Sequence, residues 1–248
     1  MKSNLLLALL STLLVLACTS HSTSRDDDDD DEAPPTAAAA TTASASSLAP
    51  APLSGATVLA FDQETAGALP SGWKAEGTNQ KGPVATWKVI ADATAPSKPN
   101  VLSLTSPNHD SSGTFNICWT DRVRFKEGRI EVSLKPNAGK EDQGGGPIWR
   151  VQDKDDYYIC RANPLESNFR VYYVQSGSRH QLASANVSIS SGQWHTIAIE
   201  HRGNHIACWF DGEKLLDATD DHLPNAGGVG VWTKSDAASS FDDLKIQP

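Results

Sequence analysis

The sequence predicts an all-β domain folded as a two-sheet antiparallel sandwich of the jelly-roll kind. Short runs with period-two alternation recur between Gly, Pro, Asn and Asp punctuation, and there are more than ten of them. No stretch of ordinary length carries the periodicity of an amphipathic helix. The portion built this way, residues 56–248, is long enough to bury a substantial core as one domain.

Two segments precede it. Lys2 is followed by an apolar run from Leu5 to Ala17 that is too short to span a bilayer and ends in Val15, Leu16, Ala17 and Cys18. Residues 1–18 read as a signal peptide. The last four resemble the lipobox of bacterial lipoproteins, which implies cleavage before Cys18 and a diacyl anchor on it, two chains being what stable attachment requires. The expected location is the bacterial cell envelope, outer membrane or cell surface, with membrane contact through the anchor alone. Plain export to the periplasm or medium after cleavage near Ala17 is the alternative. Residues 19–55 are rich in Ser, Thr, Ala and Pro around the acidic run Asp26 to Glu32, and with almost no large apolar residues they read as a disordered, self-repelling tether. Of the net charge of −9, residues 1–32 contribute −5, from seven acids against Lys2 and Arg25, leaving −4 on the remainder. A mildly acidic domain does not recommend nucleic acid as a partner.

The strands follow in order. Thr57 to Phe61, Thr86 to Ala91, Val101 to Thr105, Thr114 to Trp119 and Arg129 to Lys135 alternate apolar with polar positions. Ile148 to Gln152 and Tyr157 to Asn163 flank the tight polar turn 153–156 and so form a hairpin. Phe169 to Val174 and Arg179 to Ser184 flank the turn 175–178 in the same way. Trp194 to His201 and His205 to Phe210 come next, and the turn Asp211, Gly212 opens a further short strand, Glu213 to Asp217. Gly228 to Thr233 and Phe241 to Ile246 complete the domain.

Gln193 to Glu200, Ile206 to Leu215, Gly227 to Trp232 and Phe241 to Leu244 look like the C-terminal half of concanavalin A-like sandwiches. That set includes laminin-G-like modules, family 16 glycoside hydrolases and the 3-keto-disaccharide hydrolase domain. Phe61 and Asp62, with Leu69 to Trp73, resemble the opening strand and turn of such domains. The resemblance covers most of residues 56–248 and implies architecture; it implies little about chemistry, because this fold carries lectins, enzymes and adhesion modules alike. Family 16 catalysis places carboxylates on alternate positions of one strand. Here Glu131 has Ser133 two residues on, and Glu141 and Asp142 are adjacent, so the glucanase machinery is absent from the sequence.

Strand parity singles out one face. With the first hairpin centred on 153–156, Gln152 faces Tyr157, Arg150 faces Ile159 and Ile148 faces Arg161, while Trp149 and Val151 turn inward. Arg161 then opposes Arg170, Tyr172 opposes Gln181 and Val174 opposes Arg179, with Val171 and Tyr173 in the core. Arginine forks hold hydroxyls or carboxylates in pairs, and aromatic side chains offer a sugar ring a flat surface. The expected ligand-binding set is Arg150, Arg161, Asn163, Arg170, Tyr172, Arg179, Trp232 and Lys234, for a carbohydrate or other polyhydroxylated ligand. The plainer alternative is a solvated arginine ladder compensated by Glu131 and Glu200. The 3-keto-disaccharide hydrolase resemblance implies a different use, proton abstraction beside a ketone, with Glu200 as base and Arg150, Arg161 or Lys234 holding the oxyanion. An adhesion module without a small ligand is the third reading.

Lesser signals complete the inventory. The run Gln143 to Pro147 is expected to bend the chain into a strand. Asp62, Asp242 and Asp243 are candidate calcium ligands, or turn formers. His201 is placed at the rim of its sheet. Cys118, Cys160 and Cys208 fall on strand positions that read as buried and allow either one disulfide with a free thiol or three free thiols.

Overall fold

The computed structural model describes residues 55–108 and 113–248. The expected signal peptide, the expected lipidation at Cys18 and the expected acidic tether lie outside them. Fifteen strands, and no helix among the described residues, form two antiparallel sheets. The first sheet runs in the order β13 (Glu213–Thr219), β12 (His205–Phe210), β11 (His195–Arg202), β6 (Gly128–Ala138), β15 (Ala238–Gln247), β4 (Asn100–Ser106), β3 (Thr86–Ala91), with β1 (Thr57–Leu59) pairing on β15. The second runs β10 (Ser178–Asn186), β9 (Asn168–Gln175), β8 (Asp156–Asn163), β7 (Gly146–Asp153), β14 (Gly227–Lys234), β5 (Phe115–Phe125), β2 (Lys74–Thr78). The strand β2 was not legible in the sequence, because Lys74, Glu76 and Thr78 alternate with Ala75 and Gly77 and supply no apolar run.

The main core lies between the sheets. Val132, Leu134, Ile197, Ile199, Cys208, Phe210 and Phe241 of the first sheet face Trp149, Tyr158, Cys160, Phe169, Val171, Val229 and Val231 of the second, all buried. Each side chain of this size is worth about 1.5–3 kcal/mol on burial. All three domain cysteines are buried and free, which resolves the two cysteine alternatives in favour of three thiols. Burial, with Cys208 beside it, pushes the Cys160 thiol far above its ordinary range. His201 is in this core rather than at a rim. It is fully buried, accepts from the Trp149 indole N–H at 3.0 Å, and burial, with Arg150 nearby, pushes its pKa down to about 3, so it stays neutral.

A second apolar cluster occupies the other face of the second sheet: Phe115, Ile117, Trp119, Ile148, Val151, Tyr157, Ile159, Tyr172, Val174 and Trp232. An outer sheet face is buried only if the sheet curls over it. The strands β2 and β10 are opposite edges of this sheet. Yet the Asn79 side-chain amide, directly after β2, donates to the Gly177 carbonyl in the β9–β10 turn at 2.9 Å. The second sheet is therefore the concave one. Trp119 packs close to β14 where positions 228 and 230 have no side chain; a Cβ at Gly228 would sit 2.7 Å from the indole ring.

The β7–β8 hairpin departs from the expected register. Asp153 pairs with Asp156 as the turn requires, but further along Ile148 pairs with Ile159 and Trp149 with Tyr158. The shift occurs at Arg150, whose backbone is left-handed with φ 49. This bulge reverses parity. Val151 joins the outer cluster, and Arg150 turns away from Arg161 to donate to the carbonyls of Lys126 (2.8 Å), Leu223 (2.9 Å) and Gly203 (3.3 Å). Arg150 thus ties three loops together and does not belong to the concave face.

Candidate functional site

The site is assembled where the β6–β7 loop meets β8. Three successive backbone N–H groups, of Lys140, Glu141 and Asp142, donate to the Asp236 carboxylate at 2.7, 3.1 and 3.0 Å, and the Ser235 hydroxyl donates to Glu141 at 2.6 Å. The chain then runs through Gly144, with φ 101, so close to β8 that a Cβ there would lie 2.1 Å from the Ala162 carbonyl oxygen. The glycine run is a bend, as its composition suggests, and the bend sets the Asp142 side chain against Arg161.

Arg161 and Asn163 project from β8, Asn168 and Arg170 from β9, and Glu166 from the loop between them. The Arg161 Nη2 donates to Glu166 at 2.6 Å and to the Asn168 Oδ1 at 3.3 Å, and its Nη1 to Asp142 at 3.4 Å. The Asn163 amide donates to both Asp142 and Glu166 at 3.0 Å. The Asn168 amide donates to Glu166 at 2.7 Å, and Arg170 stands 3.5 Å from the same carboxylate. From the end of β14, the Lys234 Nζ lies 3.9 Å from Asp142. Two carboxylates, not the glutamates of the first sheet, thus offset the opposed arginines. Glu131 pairs instead with Arg129 at 3.1 Å and Lys245 at 3.3 Å.

The environment moves these groups in different directions. Burial raises the Asp142 carboxyl above the ordinary carboxylate range, and Arg161 and Lys234 offset this only in part. Burial would also raise Glu166, but Arg161, Asn168 and Arg170 together hold it below its ordinary value. The two carboxylates diverge because Asp142 is the more deeply buried and the Arg161 fork lies nearer Glu166. Burial and the charge of Arg179 lower the Lys234 ammonium, against the pull of Asp142.

Beyond the charged cluster the aromatic wall begins. The Arg179 guanidinium lies 4.6 Å from the Tyr172 ring centroid, 5.2 Å from Phe115 and 6.0 Å from Trp232. Among the buried polar atoms on this face without a hydrogen-bond partner are the Arg161 Nε and the Tyr172 hydroxyl. Groups left in that state cost about 1–3 kcal/mol each. The exposed members of the cluster are Glu166, Arg170 and Lys234, which keep 39 %, 20 % and 18 % of their side-chain surface, against 1 % for Arg161 and 3 % for Asp142.

Of the residues expected from sequence, the concave face gathers Arg161, Asn163, Arg170, Tyr172, Arg179, Trp232 and Lys234. Arg150 is excluded by the bulge. Glu200 is excluded by topology: it sits on β11 of the first sheet, opposite Arg129 in register and bonded to Arg202 at 3.1 Å, so the whole sandwich separates it from Arg161. Asp62, Asp242 and Asp243 form no cage. Asp62 accepts from the Asn100 N–H at 3.1 Å, and Asp242 from the Ser97 N–H at 2.9 Å and its own neighbour's at 2.9 Å. Among the described residues no three His, Cys, Asp or Glu side chains are grouped to hold a metal ion. Asp142, Glu166, Asn168 and Asp236 were missed. For Asp142 the signal was its position at the head of the glycine run, which strand parity does not weigh.

Comparison with known proteins bears on what this face does. No curated protein matches the chain closely enough to count as a relative. Among solved structures, the carbohydrate-binding module CBM66 from Bacillus subtilis superposes with a TM-score of 0.55 at 16 % identity, covering 71 % of this chain and 96 % of that one. A β-glucanase from Bacillus licheniformis gives 0.52 at 14 %, covering 79 % and 99 %. A β-1,3-1,4-glucanase from a mouse hindgut metagenome gives 0.50 at 18 %, covering 78 % and 99 %. At these identities the likeness is one of fold, a concanavalin A-like sandwich. A family model described as the 3-keto-alpha-glucoside-1,2-lyase-like domain matches residues 58–247, nearly all of the sandwich. The chain belongs to that family, the group also called the 3-keto-disaccharide hydrolase domain.

Proposed function

We propose that the concave face of the second sheet is a sugar site centred on Arg161, Asn163, Asp142 and Lys234. The observation that carries this reading is the pair of orphaned buried polar atoms, on Arg161 and Tyr172, beside a cluster of forked and amide donors and next to an aromatic wall. Family membership supports a sugar ligand, as do the carbohydrate-binding module and glucanases among the structural neighbours.

The substitution Tyr172→Phe separates ligand recognition from folding. It removes a hydroxyl that has no partner in the free protein, so thermal stability is expected to be unchanged or higher. Titration calorimetry with methyl 3-keto-α-glucoside is expected to give binding about five- to tenfold weaker, the worth of one hydrogen bond of ~1 kcal/mol. Equal affinity in the variant and the parent would remove Tyr172, and with it this placement of the sugar.

The opposed displacement of Asp142 and Lys234 favours a further reading, turnover by elimination. In a 3-keto-glucoside the hydrogen at C2 is acidified by the adjacent ketone. Asp142, a carboxylate made more basic by burial, takes that proton. The electron pair moves onto the ketone oxygen as an enolate, held by Arg161, and then forms the C1–C2 double bond as the C1–O bond breaks. Lys234, an ammonium made more acidic by burial, gives its proton to the departing alkoxide. The products are an unsaturated keto sugar and a free alcohol, with no oxidant or added water required. Here Lys234 acts as the acid, and Asp142 takes the role of base that the sequence had offered to Glu200.

A further inference from the structure

We propose that Asp236 is the positioning residue of the site: it mounts the loop that carries Asp142 on the same β14–β15 turn that carries Lys234. This rests on the elimination reading and adds to it what fixes the base and the acid relative to each other.

The turn is tied down at its centre. Ser235 is 1 % exposed, and its backbone is left-handed, with φ 50. Its N–H donates to the Thr114 carbonyl at 3.0 Å, and its carbonyl accepts from the buried Asn116 amide at 3.0 Å. The Ala237 N–H closes the turn on the Lys234 carbonyl at 3.0 Å. Lys234 and Asp236, on either side of Ser235, therefore leave a fixed backbone. Asp236 uses both carboxylate oxygens on the β6–β7 loop, Oδ2 accepting from the Lys140 N–H and Oδ1 from those of Glu141 and Asp142. The Ser235 hydroxyl adds the Glu141 carboxylate, and the Ser239 hydroxyl of β15 donates to the Gly144 carbonyl at 2.8 Å. Asp142 is thus gripped twice, its N–H by Asp236 and its carboxylate by Asn163 and Arg161.

The role of Asp236 follows from what its loss releases. Without it, three backbone amides turn to water, the loop loosens and Asp142 becomes hydrated. Burial is the main cause of the raised Asp142 carboxyl, and the charges that face it are Arg161 of β8, Lys234 of β14, Glu166 of the β8–β9 loop and Arg179 of β10. Hydration removes the main cause, so the carboxyl falls back toward the ordinary range. The base also loses its fixed distance from the C2 hydrogen, and a misplacement of about 1 Å costs about a hundredfold in rate. Asp236 acts through Asp142 and not on the sugar, because its own oxygens are taken up by the three amides.

Asp236→Ala and Asp236→Asn in the whole protein, each checked for a native circular dichroism spectrum, test this. Asn removes the charge but keeps an oxygen for the Glu141 and Asp142 amides, so the pair of variants separates position from electrostatics. In Asp236→Ala, kcat for methyl 3-keto-α-glucoside is expected to fall about thirty- to hundredfold with KM within about threefold of the parent, and the acid limb of the pH profile to move to lower pH. Asp236→Asn is expected to recover most of the lost rate. The Asp142 carboxyl, followed by carboxyl-carbon NMR titration and assigned with Asp142→Asn, is expected to titrate lower in Asp236→Ala than in Asp236→Asn. That second readout needs no turnover. An Asp142 titration equal in the two variants, or unchanged from the parent in both, would overturn the positioning role. An alanine variant that does not fold would overturn it too, by making Asp236 a residue of the fold rather than of the site. A parent protein that leaves the glucoside intact while Asp142 titrates as expected would overturn the elimination reading and leave the positioning role standing.

Discussion

Arg161→Met is expected to destabilise the fold by about 3–5 kcal/mol, measured by urea denaturation, because it leaves a buried anion without its partner. Arg161 is 1 % exposed and is the hub through which Asp142, Glu166 and Asn168 are held. Without it, Asp142 remains 3 % exposed at the side chain, with only the Asn163 amide and a lysine 3.9 Å away. Asp142→Asn in the Arg161→Met background is expected to recover part of the loss, since the neutral amide needs no counter-ion, and a double-mutant cycle isolates that coupling. A loss below about 1 kcal/mol would mean that Arg161 is the solvated surface arginine of the plainer sequence reading, for which ion pairs are worth little.

Lys234→Met is expected to reduce elimination from a 3-keto-glucoside by about 10²–10⁴-fold, the usual contribution of a positioned acid or base. The pH profile gives a signature that a packing role would not. Asp142 must be ionised to take the proton, and its pKa is raised, so the acid limb is expected above the ordinary carboxylate range. Lys234 must be protonated to give one up, and its pKa is lowered, so the alkaline limb is expected below the ordinary lysine range. Activity rises as Asp142 deprotonates and falls as Lys234 deprotonates. The residual activity of Lys234→Met should lose the alkaline limb and keep the acid one, and Asp142→Asn should do the reverse. Release of the alcohol followed by chromatography supplies the measurement. An unchanged alkaline limb in Lys234→Met would assign that proton to another group.

The sandwich was legible in the sequence because strand parity and turn chemistry are local. The β8–β9 pairing of Arg161 with Arg170, and the β9–β10 pairing of Val174 with Arg179, follow from turn length alone and are observed as expected. Arg150 was misplaced because a bulge is a departure from parity that nothing in Trp149, Arg150 and Val151 announces; it is dictated by three carbonyls from loops remote in sequence. Glu200 was misassigned for a related reason. Parity places a side chain on a face of its own sheet but does not say which sheet, and β11 pairs with β6 and β12, not with β8. Asp142 and Glu166 sit on loops, where no periodicity operates, and their approach to Arg161 depends on the Asp236 carboxylate gathering three amides and on the hairpin loop folding back. The curl of the second sheet, which makes one face concave, depends on contacts between its opposite edges and has no local sequence signature.

The central claim is that this concave face, and no other surface, holds the sugar. A crystal structure of the Asp142→Asn variant with methyl 3-keto-α-glucoside tests it most directly, since that substitution is expected to stop turnover while preserving the buried shape. The account predicts one sugar ring between Lys234, Asn163 and Arg161, with a hydroxyl or the ketone oxygen within hydrogen-bond reach of the Tyr172 hydroxyl. A ring bound on the outer face of the first sheet, beside Glu200 and Trp209, with the Arg161 cluster unchanged, would contradict it.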